Sequence, residues 1–245
     1  MHARPVISAL ALLVALAVPT SARGDGELEL RSFYYKERAT RVVQPMLDAR
    51  LDVGEHGAAD GHLLVDAITS ASVGAGAGAE AFTEYRTEAG LGYLHSFDGY
   101  RLGGSTRYSR EPDYRSLFIA GRGEAEVANK NAVLGVSAAL GRDDVSNAGA
   151  IGGMAPLIEG EVTTVMTSVS YSQIVSPNLI AAATYDLIYL EGFLANPYRS
   201  VAAGGMLVSE RTPGSRLRSA LLGSVRRYLP RTQTTLIGSY RFYAD

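Results

Sequence analysis

Val43-Gln44-Pro45-Met46-Leu47-Asp48-Ala49-Arg50-Leu51-Asp52-Val53 alternates between apolar and polar residues. Val43, Pro45, Leu47, Ala49, Leu51 and Val53 take one side of the alternation. Gln44, Asp48, Arg50 and Asp52 take the other, with only Met46 out of step. A period of two sends successive side chains to opposite faces of a β-strand, so this stretch has one apolar face and one wet face. The pattern recurs from Leu28 to Tyr243. Strands of ordinary globular proteins run about 5–6 residues. These run roughly 10–14, which suits a strand that crosses a bilayer at a tilt.

Strands are predicted near 28–36, 40–53, 62–73, 82–97, 100–110, 114–127, 130–142, 162–175, 178–190, 199–209, 216–229 and 232–243, about twelve in all. Turn residues separate them: Asp98-Gly99, Glu111-Pro112-Asp113, Ala128-Asn129, Ser176-Pro177-Asn178, Thr212-Pro213-Gly214 and Pro230. So high a strand content is out of keeping with a soluble domain and in keeping with a closed membrane sheet. The fold expected is an all-β, antiparallel up-and-down transmembrane β-barrel of outer-membrane type.

The first two dozen residues read as a leader rather than as fold. His2 and Arg4 give a basic start, Val6 to Val18 is apolar, and Thr20-Ser21-Ala22 offers small residues for cleavage. Residues 1–22 are therefore expected to be a signal peptide and 23–245 a single barrel domain. The apolar run falls short of the roughly 20 residues a helical span needs, and no other stretch reaches 18. Mean hydropathy is near zero, as expected when every second residue of a strand faces a wet interior.

The chain has no cysteine, which excludes disulfides and thiolate metal sites. Its net charge of −2 gives no reason to expect nucleic acid as a partner. The late strands are basic: from Arg199 onward the arginines face only Glu210 and Asp245, while the rest of the chain is acidic.

Connection lengths add a second line of inference. With the N-terminus on the periplasmic side, odd-numbered connections lie outside the cell and are the longer ones. Asp143 to Glu161 is the seventh connection, Gly74 to Ala81 the third and Glu191 to Tyr198 the ninth. Gly54 to Gly61, the second, is long where a short turn is expected. Tyrosines add a third line. Tyr85 and Tyr93 share one apolar face, and Tyr100 and Tyr108 repeat the spacing on the next strand. Eight residues cover about 26 Å of strand, or roughly 20 Å of depth at a tilt near 40°, close to the spacing of two interfacial aromatic girdles. Aromatics packed in a sandwich core would be the alternative.

The wet faces carry Asp48, Arg50 and Asp52; Glu84, Arg86 and Glu88; Arg122, Glu124 and Glu126; Asp66 and Asp186; and Arg216, Arg218 and Arg226. In a barrel these point inward and form ladders of opposite charge. Such ladders line a hydrated pore or fill a plugged interior, and a solvated sheet face would look much the same.

No catalytic constellation is predicted. His95 and Ser96 are neighbours near Asp98, but adjacent strand residues point to opposite faces and would not meet. His56, Asp60 and His62 could ligate a metal from a loop, although their spacing matches no established ligand pattern. Gly74 to Gly78 lacks the lysine and hydroxyl residue of a phosphate loop. No catalytic, cofactor or metal residue is therefore assigned, and no enzymatic activity or cofactor is expected.

Several strings nevertheless resemble a bacterial family, the domain-of-unknown-function 3570 family. They are Tyr34-Tyr35-Lys36-Glu37, Thr40 to Pro45, Val65 to Ser72, Phe82 to Arg86, Gly192-Phe193, Asn196 to Arg199, Tyr228 to Thr232 and Tyr240 to Tyr243. The resemblance implies an exported outer-membrane barrel and supplies no catalytic residue or substrate. It also implies hairpins beyond the last strand, so that about four strands are missing after Asp245. Without them the sheet either closes at twelve strands or keeps an open edge.

The functional expectation is a passive pore or solute channel with a charged lumen. Its partners are outer-membrane lipid and small solutes, and its location is the outer membrane. A non-conducting scaffold or adhesin acting through the loop from Asp143 to Glu161 is the alternative.

Overall fold

The computed structural model describes residues 25–38, 40–70, 82–147, 158–197 and 200–245. The predicted signal peptide and the stretch from Gly74 to Ala81 lie outside the described residues. The strands are β1 (Gly26–Lys36), β2 (Thr40–Val53), β3 (Gly57–Ser70), β4 (Phe82–Phe97), β5 (Tyr100–Arg110), β6 (Tyr114–Val127) and β7 (Ala132–Ser146). There follow β8 (Glu159–Ser176), β9 (Leu179–Gly192), β10 (Ser200–Ala203), β11 (Met206–Ser209), β12 (Ser215–Leu229) and β13 (Thr234–Ala244).

Eleven of these strands form one antiparallel meander in the order β1-β2-β3-β4-β5-β6-β7-β8-β9-β12-β13. The chain is all-β, an up-and-down sheet of the outer-membrane β-barrel class. Two expectations need correction. Residues 199–209 are not one strand of the sheet: β10 and β11 form a separate hairpin, and β9 pairs directly with β12. The break comes at Gly204 and Gly205, with φ of +59° and +82°. Two consecutive positive-φ glycines make a tight hairpin turn, so the segment doubles back instead of crossing.

The second correction concerns residues 54–61. β3 starts at Gly57, leaving only a turn at 54–56. Its pairing with β4 runs on to Gly57↔His95. With these changes the connections sort more cleanly than expected. The short turns at 54–56, 98–99, 128–131, 177–178 and 230–233 all lie at one rim. The strand ends joined by the long connections 71–81, 147–158 and 193–214 all lie at the other, as do those joined by the shorter 37–39 and 111–113.

The sheet is open. Among the described residues β1 pairs only with β2, and β13 only with β12. As first and eleventh strands of a meander, they run in the same direction. Direct closure would therefore introduce a parallel pair into an otherwise antiparallel sheet. The twelve-strand closure considered above does not form.

A single sheet has no second layer to bury a core, and little is buried. Leu47, Leu64, Ala132, Val162 and Ala220 are the buried hydrophobic residues among those described. Leu30, Leu91, Ile119, Val136, Leu140, Leu217 and Leu236 are among many that stand exposed. Burial alternates along the strands, as in Tyr114 to Ala120, where even positions are half-buried and odd ones exposed. The half-buried face is the inner face of a curved sheet and the exposed face is the outer one. Tyr85, Tyr93, Tyr100 and Tyr108 are all exposed on the outer face. Tyr85 and Tyr108 lie toward the long-loop rim, and Tyr93 and Tyr100 toward the short-turn rim.

Candidate functional site: the charged inner face

Residues directly opposite in an antiparallel ladder share a face. The register carries one face across the sheet through Asp52↔Ala58, Ala58↔Leu94, Leu94↔Gly103, Gly103↔Arg122 and Arg122↔Ser137. It continues through Ser137↔Ser168, Ser168↔Asp186 and Asp186↔Ala220. All the charged groups predicted for the wet face lie on this one: Asp48, Arg50, Asp52, Asp66, Glu84, Arg86, Glu88, Arg122, Glu124, Glu126, Asp186, Arg216, Arg218 and Arg226. The alternation alone was enough to place them together.

The structure joins many of them into a network centred on Glu88, which is almost wholly buried. Arg86 donates to Glu88 at 2.5 Å, and Arg107 Nε on β5 lies 3.2 Å from it. His62 on β3 sits between two carboxylates, with Nδ1 2.6 Å from Asp48 and Nε2 3.7 Å from Glu88. Arg31 on β1 completes the row by donating to Asp48 at 2.5 Å. The result is a ladder of cross-strand polar contacts over five strands, from Arg31 through Asp48, His62 and Glu88 to Arg107. A cavity of about 580 Å³ opens beside it, lined by Asp60, His62, Arg86, Glu88, Arg107 and Tyr114 among others. Gly92 makes room for Asp60, since a Cβ there would meet the Asp60 carboxylate at 2.5 Å.

Other inner-face pairs are more isolated. Arg101 bonds to Glu124 across β5 and β6. The Ser168 hydroxyl donates to Asp186 at 2.7 Å, and Arg241 lies 3.8 Å from the same carboxylate. Arg216 and Arg218 converge on Asp245 at 2.7 and 3.5 Å.

His56, Asp60 and His62 do not form a group that could hold a metal ion among the described residues. His62, predicted as the first residue of a strand and weighed as a metal ligand from the adjoining loop, lies within β3 and is the hinge of the ladder. Its register with Leu64 and Asp66 was the signal, weakened because the strand was predicted to begin at His62 itself, five residues late. His95 faces outward: its Nδ1 lies 3.0 Å from the Tyr93 hydroxyl, and its ring contacts Phe97 at 4.4 Å. Phe97 stacks on Tyr100 at 4.5 Å, and His56 meets His95 edge-on at 6.3 Å. These rings form an aromatic cluster near the short-turn rim. Ser96 lies on the inner face, opposite Arg101.

Near the long-loop rim, ligand atoms of Glu84, Glu111 and Asp113 all lie within 4.8 Å of one another. Carboxylate oxygens suit a hard cation, but Arg86 Nε, 3.9 Å from Glu111, already places positive charge there. Burial raises the Glu111 carboxyl above its ordinary range, opposed by Arg86 and reinforced by Asp113 and Asp66. Burial also raises Asp113, opposed by a hydrogen bond from its own backbone.

A family model described as "Protein of unknown function (DUF3570)" matches residues 154–245, so the resemblance expected from the sequence holds over that part. No curated protein matches the chain. Among solved structures, the chain is similar to the translocator domain of the autotransporter NalP from Neisseria meningitidis. That alignment has 12% identity and a TM-score of 0.42, and covers 99% of this chain and 90% of that one. A mutant of the ferric enterobactin receptor PfeA from Pseudomonas aeruginosa aligns at 10% identity and TM-score 0.49, covering 91% of this chain and 40% of that one. The copper transporter OprC aligns at 11% identity and TM-score 0.50 over 87% of this chain and 39% of that one. The chain thus spans well under half the length of these last two proteins. At such identities the likeness concerns the fold alone.

Proposed function

We propose that this chain is an outer-membrane β-barrel protein without enzymatic activity, which lets small solutes pass along its charged inner face. One observation carries this reading: the two faces of a single sheet divide by polarity. The outer face presents Leu30, Leu91, Ile119, Leu140 and Leu236 openly, which water would penalise by roughly 25 cal/mol for each Å² of apolar surface and lipid would not. The inner face holds arginines, aspartates and glutamates, which lipid would reject and a hydrated lumen accepts. The exposed tyrosines near both rims fit interfacial girdles. The apolar leader segment agrees with export to the outer membrane.

The deciding test is conductance of the full-length protein in planar bilayers. Discrete, salt-dependent conductance steps are expected, and a silent bilayer would remove the pore reading.

A second reading is supported by the rims. The strand ends that the long connections join all lie on one side, and the β10–β11 hairpin belongs to the connection 193–214. A non-conducting scaffold or adhesin would use that rim. Deleting residues 200–209 would abolish surface adhesion under this reading and leave conductance unchanged under the first.

A further inference from the structure

The inner-face charges are not evenly spread. On β1 to β4, Glu27, Glu29, Asp52, Asp60, Asp66 and Glu84 join the bridged Asp48 and Glu88 on that face. Arg31, Arg50 and Arg86 are the cations that share it, so this sector is strongly acidic. On β12 and β13 the balance reverses: Arg216, Arg218, Arg226 and Arg241 face inward. Asp186 and Asp245 are the only acids within ion-pair reach of these arginines among the described residues. Arg226 stands directly opposite Ile180 and Ile237, with no acid across from it on either side.

Between the sectors, the centres of β7 and β8 face inward with Ser137, Ala139, Gly141, Thr164, Met166 and Ser168, which carry no charge. β4 and β12 are six inter-strand steps apart in the sheet order, or about 29 Å along the sheet at roughly 4.8 Å per step. Charges that far apart do not neutralise one another by contact. They set up a field across the inner surface, and low-dielectric walls strengthen it.

We propose that the inner face is a dipolar solute path, with a cation-attracting track on β1–β4 and an anion-attracting track on β12–β13, and that it favours small zwitterions over singly charged ions of similar size. This deepens the pore reading and rests on it. A small solute with an ammonium and an anionic group can align its dipole with this field at no net electrostatic cost, whereas an ion of either sign is drawn to one track and repelled by the other.

The test uses the full-length protein in planar bilayers under a KCl gradient. The unmodified protein is expected to discriminate little between K⁺ and Cl⁻. The double variant Arg226→Gln and Arg241→Gln removes two cations that no close hydrogen bond ties down, and should become about threefold more cation-selective near 0.01 M salt. The shift should largely vanish at 1 M, where the screening length falls from about 30 Å to about 3 Å. Glu27→Gln with Asp52→Asn and Asp60→Asn should shift selectivity the opposite way. In liposome swelling, glycine betaine should enter faster than choline through the unmodified protein, and the advantage should shrink in both variants. Conductance that persists with unchanged selectivity in both variants would overturn the dipolar path and leave the pore intact. Absence of conductance in the unmodified protein would remove the pore and this path with it.

Discussion

Strands β4 and β8 share the same alternation and fill their inner faces differently. β4 sends Glu84, Arg86 and Glu88 inward, followed by Gly90 and Gly92, whereas β8 sends Thr164, Met166, Ser168 and Ser170. Outward the two agree: Tyr85, Leu91 and Tyr93 on β4 match Val165, Val169 and Tyr171 on β8, all exposed. The outer face is held to one chemistry by the medium it meets. The inner face is free to vary between strands, and that variation is where function can reside.

The sharpest way to break this comparison is to place one charge on each face of β8. Val169→Arg, on the outer face, should cost about 2–4 kcal/mol near the bilayer centre. Ser170→Arg, one residue on and facing inward, should cost less than about 1 kcal/mol. Guanidinium unfolding in lipid vesicles measures both, and equal losses would contradict the assignment of faces.

A smaller effect separates the two inner faces. Glu88→Gln removes the carboxylate that serves Arg86, Arg107 and His62 and should destabilise by about 1–3 kcal/mol, whereas Ser168→Ala, which loses one hydroxyl bond to Asp186, should cost about 1 kcal/mol or less. The same unfolding assay ranks the two. A reversed order would show that the ladder is solvated rather than structural.

The smallest expected effect is at the 111–113 turn. Glu111 and Asp113 are both held above their ordinary range by burial. A carboxyl whose folded pKa is raised opposes folding when ionised, so the penalty is full above the folded value and relieved as pH falls through it. The amides of Glu111, which donates to the Tyr114 carbonyl at 2.7 Å, and of Ser146, which donates to the Asp113 carbonyl at 2.8 Å, report on this turn. Their hydrogen-exchange protection, corrected for intrinsic rate, should be greater near pH 5 than near pH 8. Glu111→Gln should flatten the dependence. A pH-independent protection in the unmodified protein would mean that these carboxyls are fully hydrated.

Much of the fold was legible because the period of two is a local property. The bounds of β2, β5 and β6 and the turn at Asp98-Gly99 follow from residues adjacent in sequence, with Gly99 at φ +79° as a tight hairpin requires. The hairpin at 200–209 was missed although Gly204-Gly205 is itself a two-residue turn signal. Its short arms read as one strand when only apolar spacing is counted. The start of β3 was missed because Gly57 to Gly61 has few apolar side chains, and pairing with β4 rather than side-chain pattern holds it in the sheet. His62 was therefore placed at the edge of a strand, and its part in the charge ladder went unread.

By itself, the sequence determined the strand character, the segregation of polar and apolar faces, and the spacing of the tyrosines, because each depends only on which side of a strand a residue takes. Only the tertiary structure decided that β9 neighbours β12, that β1 and β13 run in the same direction and do not pair with each other among the described residues, and that Glu88 gathers polar partners from three strands. Those outcomes depend on register between segments far apart in sequence, and a period of two is blind to register.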